Sequence, residues 1–476
     1  MTDLQNQHTK VSFITLFKQA IRGDVKDFTT GGMDRAIFLL AVPMVLEMLL
    51  EATFAIVDIY FVNKVDAKAA STVILTEGSL TILYSVSWGL AMGITALVAR
   101  RAGEKDFKAA SSIAARGILL ATAFSILISL IGIFYSKDVL SFMGASDETV
   151  KENSSFTQIM LTGNIVIMLL FVNNGIFRGV GDASIAMKSL LVANAINIIL
   201  DPLLILGVGP FPKMGVKGAA VATTIGRSAG VLYQLWHLFN GKNLIKLTKE
   251  YFVPDFKIMW HILKTSFGGM FQFIIGSCSW IFLIKIVAQS GSTDAIRESV
   301  TAGYGTAIRI CIFTILPAWG IANAAATLVG QNLGAQQPER AEKSVWRSAF
   351  LTLCFFILVG LVFFFLGEFL ITFFTSDPIA VKEGTLCLKI LALGYMFFAY
   401  GMVLTQAFNG AGDTNTPTVI NLFVFWLLQI PLAWFMAEKA GLGSKGVYIT
   451  IGIAEAVLAV VSVIVFRLGR WKKVKI

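Results

Sequence analysis

Glu47, Glu51 and Asp58 punctuate the apolar stretch from Pro43 to Phe61, PMVLEMLLEATFAIVDIYF. At about 100° per residue, steps of four and seven put the three carboxylates on one helical stripe, within roughly 40° of one another. The stripe runs roughly 16 Å along the axis, about half the hydrocarbon thickness of a bilayer. An ionised acid near mid-bilayer costs about 2.5–3.5 kcal/mol. Three of them facing lipid would cost about 8–10 kcal/mol, comparable to the whole stability of a typical domain. They must face protein, each other or a water-filled cavity. Acids so placed either bind a coupling proton or cation or, on the plainer reading, pair with a buried Lys or Arg.

A second set lies in ANAINIILDPLL (193–204), where Asn194, Asn197 and Asp201 share one helix face and Pro202 loosens the backbone beside the acid. Asn173 and Asn174 fall in the span before it, Thr223 and Thr224 in the span after. Carboxylates, amides and hydroxyls from several helices suit a hard cation with oxygen ligands, or a shared proton. The alternative for Asn197 is a helix-to-helix hydrogen bond, a common role in membranes. Lys285 and Arg309 are in-span bases of the second half of the chain. Arg309 is expected to tie helix ends or meet a carboxylate across the interface, Lys285 to neutralise an acid, and neither to hold a substrate.

Other chemistry is missing from the sequence. There is no nucleophile–base pair, HExxH or phosphate loop, and FRGVGD (177–182) follows no strand, so it is no nucleotide fingerprint. An enzyme is not expected, nor is a cofactor beyond the coupling ion. The four cysteines, Cys278, Cys311, Cys354 and Cys387, stand in apolar stretches as small core residues. His8, His237 and His261 sit at segment ends or in the N-terminal arm, which argues against a histidine proton relay.

The elements that must position these residues are membrane helices. Of 476 residues, 56% are hydrophobic and only 14% charged, with a mean hydropathy of +0.75. A soluble chain carries about 25% charge. The net charge of +10 is scattered over connections, which excludes a nucleic-acid face. Apolar runs long enough to span recur about twelve times between residues 36 and 467. Only helices or closed barrels satisfy the backbone in lipid, and these runs are too long for barrel strands. Placing both termini in the cytoplasm puts 25 Lys and Arg inside against 11 outside, with three in spans. The segment 11–23 is amphipathic, fit for the inner membrane surface or for an exposed helix.

The chain also repeats itself. WGLAMGITALVARRAG (88–103) matches WGIANAAATLVGQNLG (319–334), and FRGVGD matches FNGAGD (408–413), both at an offset of 231. One offset held over many helices marks a duplicated six-helix unit, and six is even, so the copies run parallel about an axis along the membrane normal. The expected architecture is an all-α integral membrane protein, with twelve transmembrane helices in two parallel six-helix repeats around a central cavity. Its parts would be an arm (1–32), an N-lobe (33–240), a linker (241–257), a C-lobe (258–467) and a basic tail (468–476). At the common offset Glu47 falls on Cys278, Glu51 on Phe282, Asp58 on Gln289 and Asp201 on Leu432. The fold is duplicated and the charge is not, so ion coupling is expected in the N-lobe.

Pro43 with VDIYFVNKV (57–65), the duplicated 88–103 and 319–334 segments, FRGVGD and FNGAGD, and NIILDP (197–202) together resemble the multidrug and toxic compound extrusion (MATE) family over residues 33–467. The resemblance implies an antiporter of the inner (plasma) membrane that exports small organic molecules, often cationic or amphipathic, in exchange for protons or sodium ions, as a monomer. It places Asp58 at the family's first-helix aspartate and Asn197 and Asp201 at its fifth-helix pair. Asn174 and Thr223 match polar positions of helices 4 and 6, and Pro43 becomes a hinge. The sodium-coupled branch has acids in helices 7 and 10, where this chain has Gly276 and Phe398, so it is similar instead to the prokaryotic branch that uses N-lobe aspartates. Glu47 and Glu51 lie outside the motif; a proton path or attraction of cations are the roles open to them. The rivals are a lipid-linked-precursor flippase of related fold and a channel or structural protein whose acids pair with Lys285 and Arg309.

Overall fold

The computed structural model describes residues 12–25, 27–62, 65, 67–291 and 293–476, except the side chains of residues 55, 59 and 67–70. The start of the arm, with His8 and Lys10, and also Lys26 and Lys64 lie outside the described residues. The chain begins with a short helix, α1 (Phe13–Arg22). The first half then runs α2 (Met33–Val62), α3 (Ala67–Gly103), α4 (Phe107–Phe142), α5 (Asp147–Thr162), α6 (Asn164–Val180), α7 (Ala183–Ile205) and α8 (Val216–Phe239). The second half runs α9 (Phe256–Ala288), α10 (Asp294–Gly334), α11 (Pro338–Thr372), α12 (Pro378–Gly410), α13 (Asn415–Lys439) and α14 (Gly443–Arg467). In α13 two stretches widen to π-helical turns.

Helices α5 and α6 form one span broken at Gly163, where Asn164 Nδ2 donates to the carbonyls of Ser125 and Leu161 and to Ser129 Oγ. Among the described residues eleven segments are long and apolar enough to cross a membrane. The twelfth, α8, has the length at 24 residues, but Gly, Ala, Thr and Arg227 lower its hydropathy. It packs along α7 and against α5 and α6, and we count it among the twelve. Large apolar side chains such as Phe134 on α4 and Phe365 and Phe369 on α11 point outward, as a lipid-facing surface requires.

The two halves are related by a two-fold axis, visible atom by atom. A Cβ on Gly103 would lie 2.0 Å from the carbonyl oxygen of Gln331, and one on Gly334 would lie 2.1 Å from that of Arg100. Gln331 and Gly334 are the 231-residue counterparts of Arg100 and Gly103, so the contact is self-complementary. FRGVGD and FNGAGD end α6 and α12 alike: Gly181 and Gly412 take φ of 91° and 86°, which L side chains avoid. The repeated small residues are thus packing positions, as expected for membrane helices.

The offset does not hold in the first helix of each half. Gly89 of α3 abuts Met270 of α9, and its counterpart Gly320 abuts Val45 of α2, which pairs positions 225 apart. The sequence reading, which carried 231 into this helix, is corrected. Six extra residues lie between the first and second spans of the second half, so Glu47 corresponds to Gln272, Glu51 to Gly276 and Asp58 to Leu283.

The halves meet through α2 against α10 and α3 against α9 and α10, over the portions nearer the face where the chain begins and ends. The described part of the arm and the basic tail are both fastened there. Asp27 meets Lys105 at 2.6 Å, and Asp34 meets Arg347 at 2.6 Å. Arg340 donates to the Phe28 and Thr30 carbonyls. The basic tail folds back: Trp471 is buried on Phe466, Lys472 pairs with Glu342, and Arg100 and Arg101 donate to the Val474 and Ile476 carbonyls. Linker residues Ile245 and Leu247 are buried in the core of the first half.

Candidate functional site

Helix α2 is rotated so that its three acids all face protein. Each meets a different partner. Glu47 Oε1 lies 3.8 Å from Arg178 of α6, and both are buried. Glu51 Oε1 lies 3.2 Å from Arg227 of α8, whose guanidinium also sits 4.9 Å from the Phe54 ring. These are the buried basic partners weighed above for both acids. Arg178, in the FRGVGD motif at the end of α6, is buried in the interior. The pairing of an arginine inside a short motif has no local sequence signature, because its partner comes from another helix.

Asp58 meets no base directly among the described residues. Its Oδ1 accepts from Asn197 Nδ2 at 3.1 Å and its Oδ2 from Thr223 Oγ1 at 2.9 Å. Asn197 Nδ2 also donates to Asp201 Oδ1 at 3.2 Å, and the Asp58 and Asp201 carboxyls approach within hydrogen-bonding reach. Asn197 and Asp201 are fully buried and Thr223 nearly so. Helices α2, α7 and α8 therefore bring together four of the residues singled out in the sequence.

Among the described residues two oxygens at this cluster have no donor: Asn197 Oδ1 and Asp201 Oδ2 are buried without a hydrogen bond. Orphaned buried acceptors are costly, and a proton or a cation among them would remove the cost. Among the described residues no group of three or more His, Cys, Asp or Glu is placed to hold a metal ion. A cation here would thus draw on amide and hydroxyl oxygens as well as carboxylates, which is the donor set of a hard ion.

Asn174 is placed elsewhere by its bonds. Its Oδ1 accepts from Gln234 Nε2 at 2.5 Å, which also donates to Ser189 Oγ at 2.9 Å. Asn173 is buried with neither amide atom bonded among the described residues. Asn194 donates to the Leu50 carbonyl of α2, and Thr224 turns to its own helix. Pro43 is buried within an unbroken α2. Lys285 and Arg309 are exposed and meet no carboxylate among the described residues, so the partners foreseen for them are corrected. The acids found Arg178 and Arg227 instead.

The corresponding place in the second half is uncharged. Gln272, the counterpart of Glu47, exchanges hydrogen bonds with Asn409, the counterpart of Arg178, at 3.0 and 3.1 Å. A neutral amide pair thus replaces an ion pair at the symmetry-related position. Leu432 and Leu283 stand where Asp201 and Asp58 would be.

The family model MatE matches residues 43–203 and 270–435, which between them hold both copies of the repeat and most of this cluster. The chain belongs to the MatE family. A "Probable multidrug resistance protein NorM" of Thermotoga maritima is 27% identical over 435 residues, covering 91% of this chain and 92% of that one. The "Multidrug export protein MepA" of Staphylococcus aureus (strain N315) is 23% identical, covering 93% and 95%. Among solved structures, an outward-facing conformation of a multidrug resistance MATE family transporter has a TM-score of 0.86 at 24% identity, covering 96% of this chain and 98% of that one. A MOP superfamily transporter from Pyrococcus furiosus gives the same TM-score and identity, with the same coverage. These structural likenesses carry the fold. As a MatE member the chain is an integral membrane transport protein, built of helices that cross the bilayer.

Proposed function

We propose that this MatE protein is a secondary antiporter that exports small organic compounds in exchange for protons or sodium ions. The observation that carries the reading is the cluster of Asp58, Asn197, Asp201 and Thr223, with two oxygens unpartnered among the described residues, in one of two duplicated halves. A proton or cation arriving there would bridge α2 to α7 and α8, changing how the helix that carries Pro43 packs. Since α2 also touches α10 across the axis, a change in its packing bears directly on the contact between the halves. Alternating access would follow from rocking about the self-complementary glycine contacts. The distribution of Lys and Arg supports a cytoplasmic position for the termini and, with them, for the fastened face. The relatives named for multidrug resistance and export support organic cargo.

Transport in vesicles with an imposed pH gradient tests the reading. Asp58→Asn should abolish gradient-driven efflux, and retention of full efflux would refute the assignment. Replacing sodium by choline in the same assay separates the two ions. The pairing of Glu47 and Glu51 with arginines weighs against both as free lures for cations.

A further inference from the structure

The halves also differ where Glu51 meets Arg227. At the separations fixed by the packing, 225 in the first helix and 231 in the last, Gly276 takes the place of Glu51 and Leu458 that of Arg227. An ion pair in the first half becomes empty space in the second. Gly276 and Leu458 both line a chamber of about 270 Å³, and a Cβ on Gly276 would meet no atom within 4 Å.

One acid borders that space. Glu455 of α14 lines the chamber and a smaller recess behind it, is 6% exposed, and has no hydrogen bond or ion pair among the described residues. Its counterpart in the first half is Thr224, so this carboxyl belongs to the second half alone. Asn421 Oδ1 at the same chamber is also buried without a donor. Among the described residues no Lys or Arg lines the space, whereas Trp280, Trp319 and Phe398 present aromatic rings to it. An uncompensated buried carboxylate is costly, and aromatic faces attract cations, so both features point to a positively charged occupant with an apolar body.

We propose that the chamber between α9, α10, α12 and α14 binds a monovalent organic cation with aromatic groups, its charge against Glu455 and its rings against Trp280, Trp319 and Phe398. The proposal rests on the reading of the protein as an exporter of organic compounds, and it puts cargo and coupling ion in opposite halves. Their competition would then be indirect, through the packing between the halves.

The test is equilibrium binding of tetraphenylphosphonium to the full chain in nanodiscs of zwitterionic lipid, with no gradient and empty discs as background. Glu455→Gln should weaken binding by about tenfold or more, the loss of one charge contact away from bulk water. Glu455→Asp, which keeps the charge, should recover most of it. Gly276→Leu fills the space without touching the acid and should weaken binding as much. Tetraphenylborate, of the same shape and opposite charge, should bind Glu455→Gln more tightly than the unaltered protein. Loss of less than about threefold in Glu455→Gln overturns the proposal. If that variant does not fold, Gly276→Leu decides by the same threshold. Failure here leaves the Asp58 efflux result untouched, and gradient-independent efflux would leave this binding result standing.

Discussion

Trp88 and Trp319 stack on the axis between the halves, with ring centroids 5.8 Å apart and planes 30° from parallel. They occupy the same place in the two copies of the repeated segment. Phe273 stacks on both, at 5.5 and 5.8 Å, and Arg178 lies 5.9 Å from the Trp88 ring. This aromatic set joins α3, α9 and α10 at the point where the halves meet. A double-mutant cycle of Trp88→Ala and Trp319→Ala, read by thermal unfolding in detergent, should give a coupling of about 0.5–1.5 kcal/mol. Strict additivity would mean that the rings are neighbours without holding the halves together.

The Glu47–Arg178 pair and the Gln272–Asn409 pair are alternative solutions to one packing problem. Removing one member of a buried ion pair strands the other, at about 3–5 kcal/mol. Glu47→Gln and Arg178→Asn singly should therefore lower the melting temperature strongly. The double variant copies the neutral pair of the second half and should regain most of the loss. A double variant as unstable as the worse single one would show that the two positions are not equivalent.

The glycine contacts at the fastened face leave no room for a side chain. Gly334→Val should push the ends of α3 and α10 apart, because backbone sits where its Cβ would go. Spin labels at Lys108 and Lys343 in a cysteine-free background should show longer and broader distances than in the parent. An unchanged distribution would mean that the contact is not what closes this face.

Asn197 and Asn174 are both buried helix amides, yet only Asn197 donates to the Asp58 and Asp201 carboxyls. Under the antiport reading, Asn197→Ala should cut gradient-driven efflux by about tenfold or more, the cost of one lost charge-assisted hydrogen bond. Asn174→Ala should lower stability and leave coupling nearly intact. The reverse order would move the coupling site to the Gln234 network.

Asp27 anchors the arm outside the membrane. Burial pushes its carboxyl up, but hydrogen bonds from Lys105 and Thr29 outweigh this and hold it at about 2. A carboxyl held below its unfolded value stabilises the fold at pH above that value and loses the contribution as pH falls through about 2. Protease cutting of the arm should therefore be constant from about pH 5 to 8 in the parent chain. Asp27→Asn should raise it equally across that range. A rise in cutting between pH 8 and 5 in the parent would point to another titrating group at the arm.

Much of this was legible in the residues. The stripe of Glu47, Glu51 and Asp58 was required to face inward, and it does, since lipid cannot hold three acids. Asn197 and Asp201 share a face as their spacing predicted, because positions four apart on one helix must do so, whereas Thr223 reaches them from α8. Asn174 did not join them: its helix turns the amide toward Gln234, and rotation about a helix axis leaves no trace in spacing alone.

By itself the sequence determined the helices, their duplication and the half in which the acids lie, because hydropathy, repeat offset and charge are properties of the chain read in line. Only the tertiary structure decided that Arg178 and Arg227 answer Glu47 and Glu51, that the first helices correspond at 225 rather than 231, and that Glu455 borders a hollow. Those are relations between side chains on separate helices, set by how far each helix slides and turns against its neighbours. Local pattern carries no record of that.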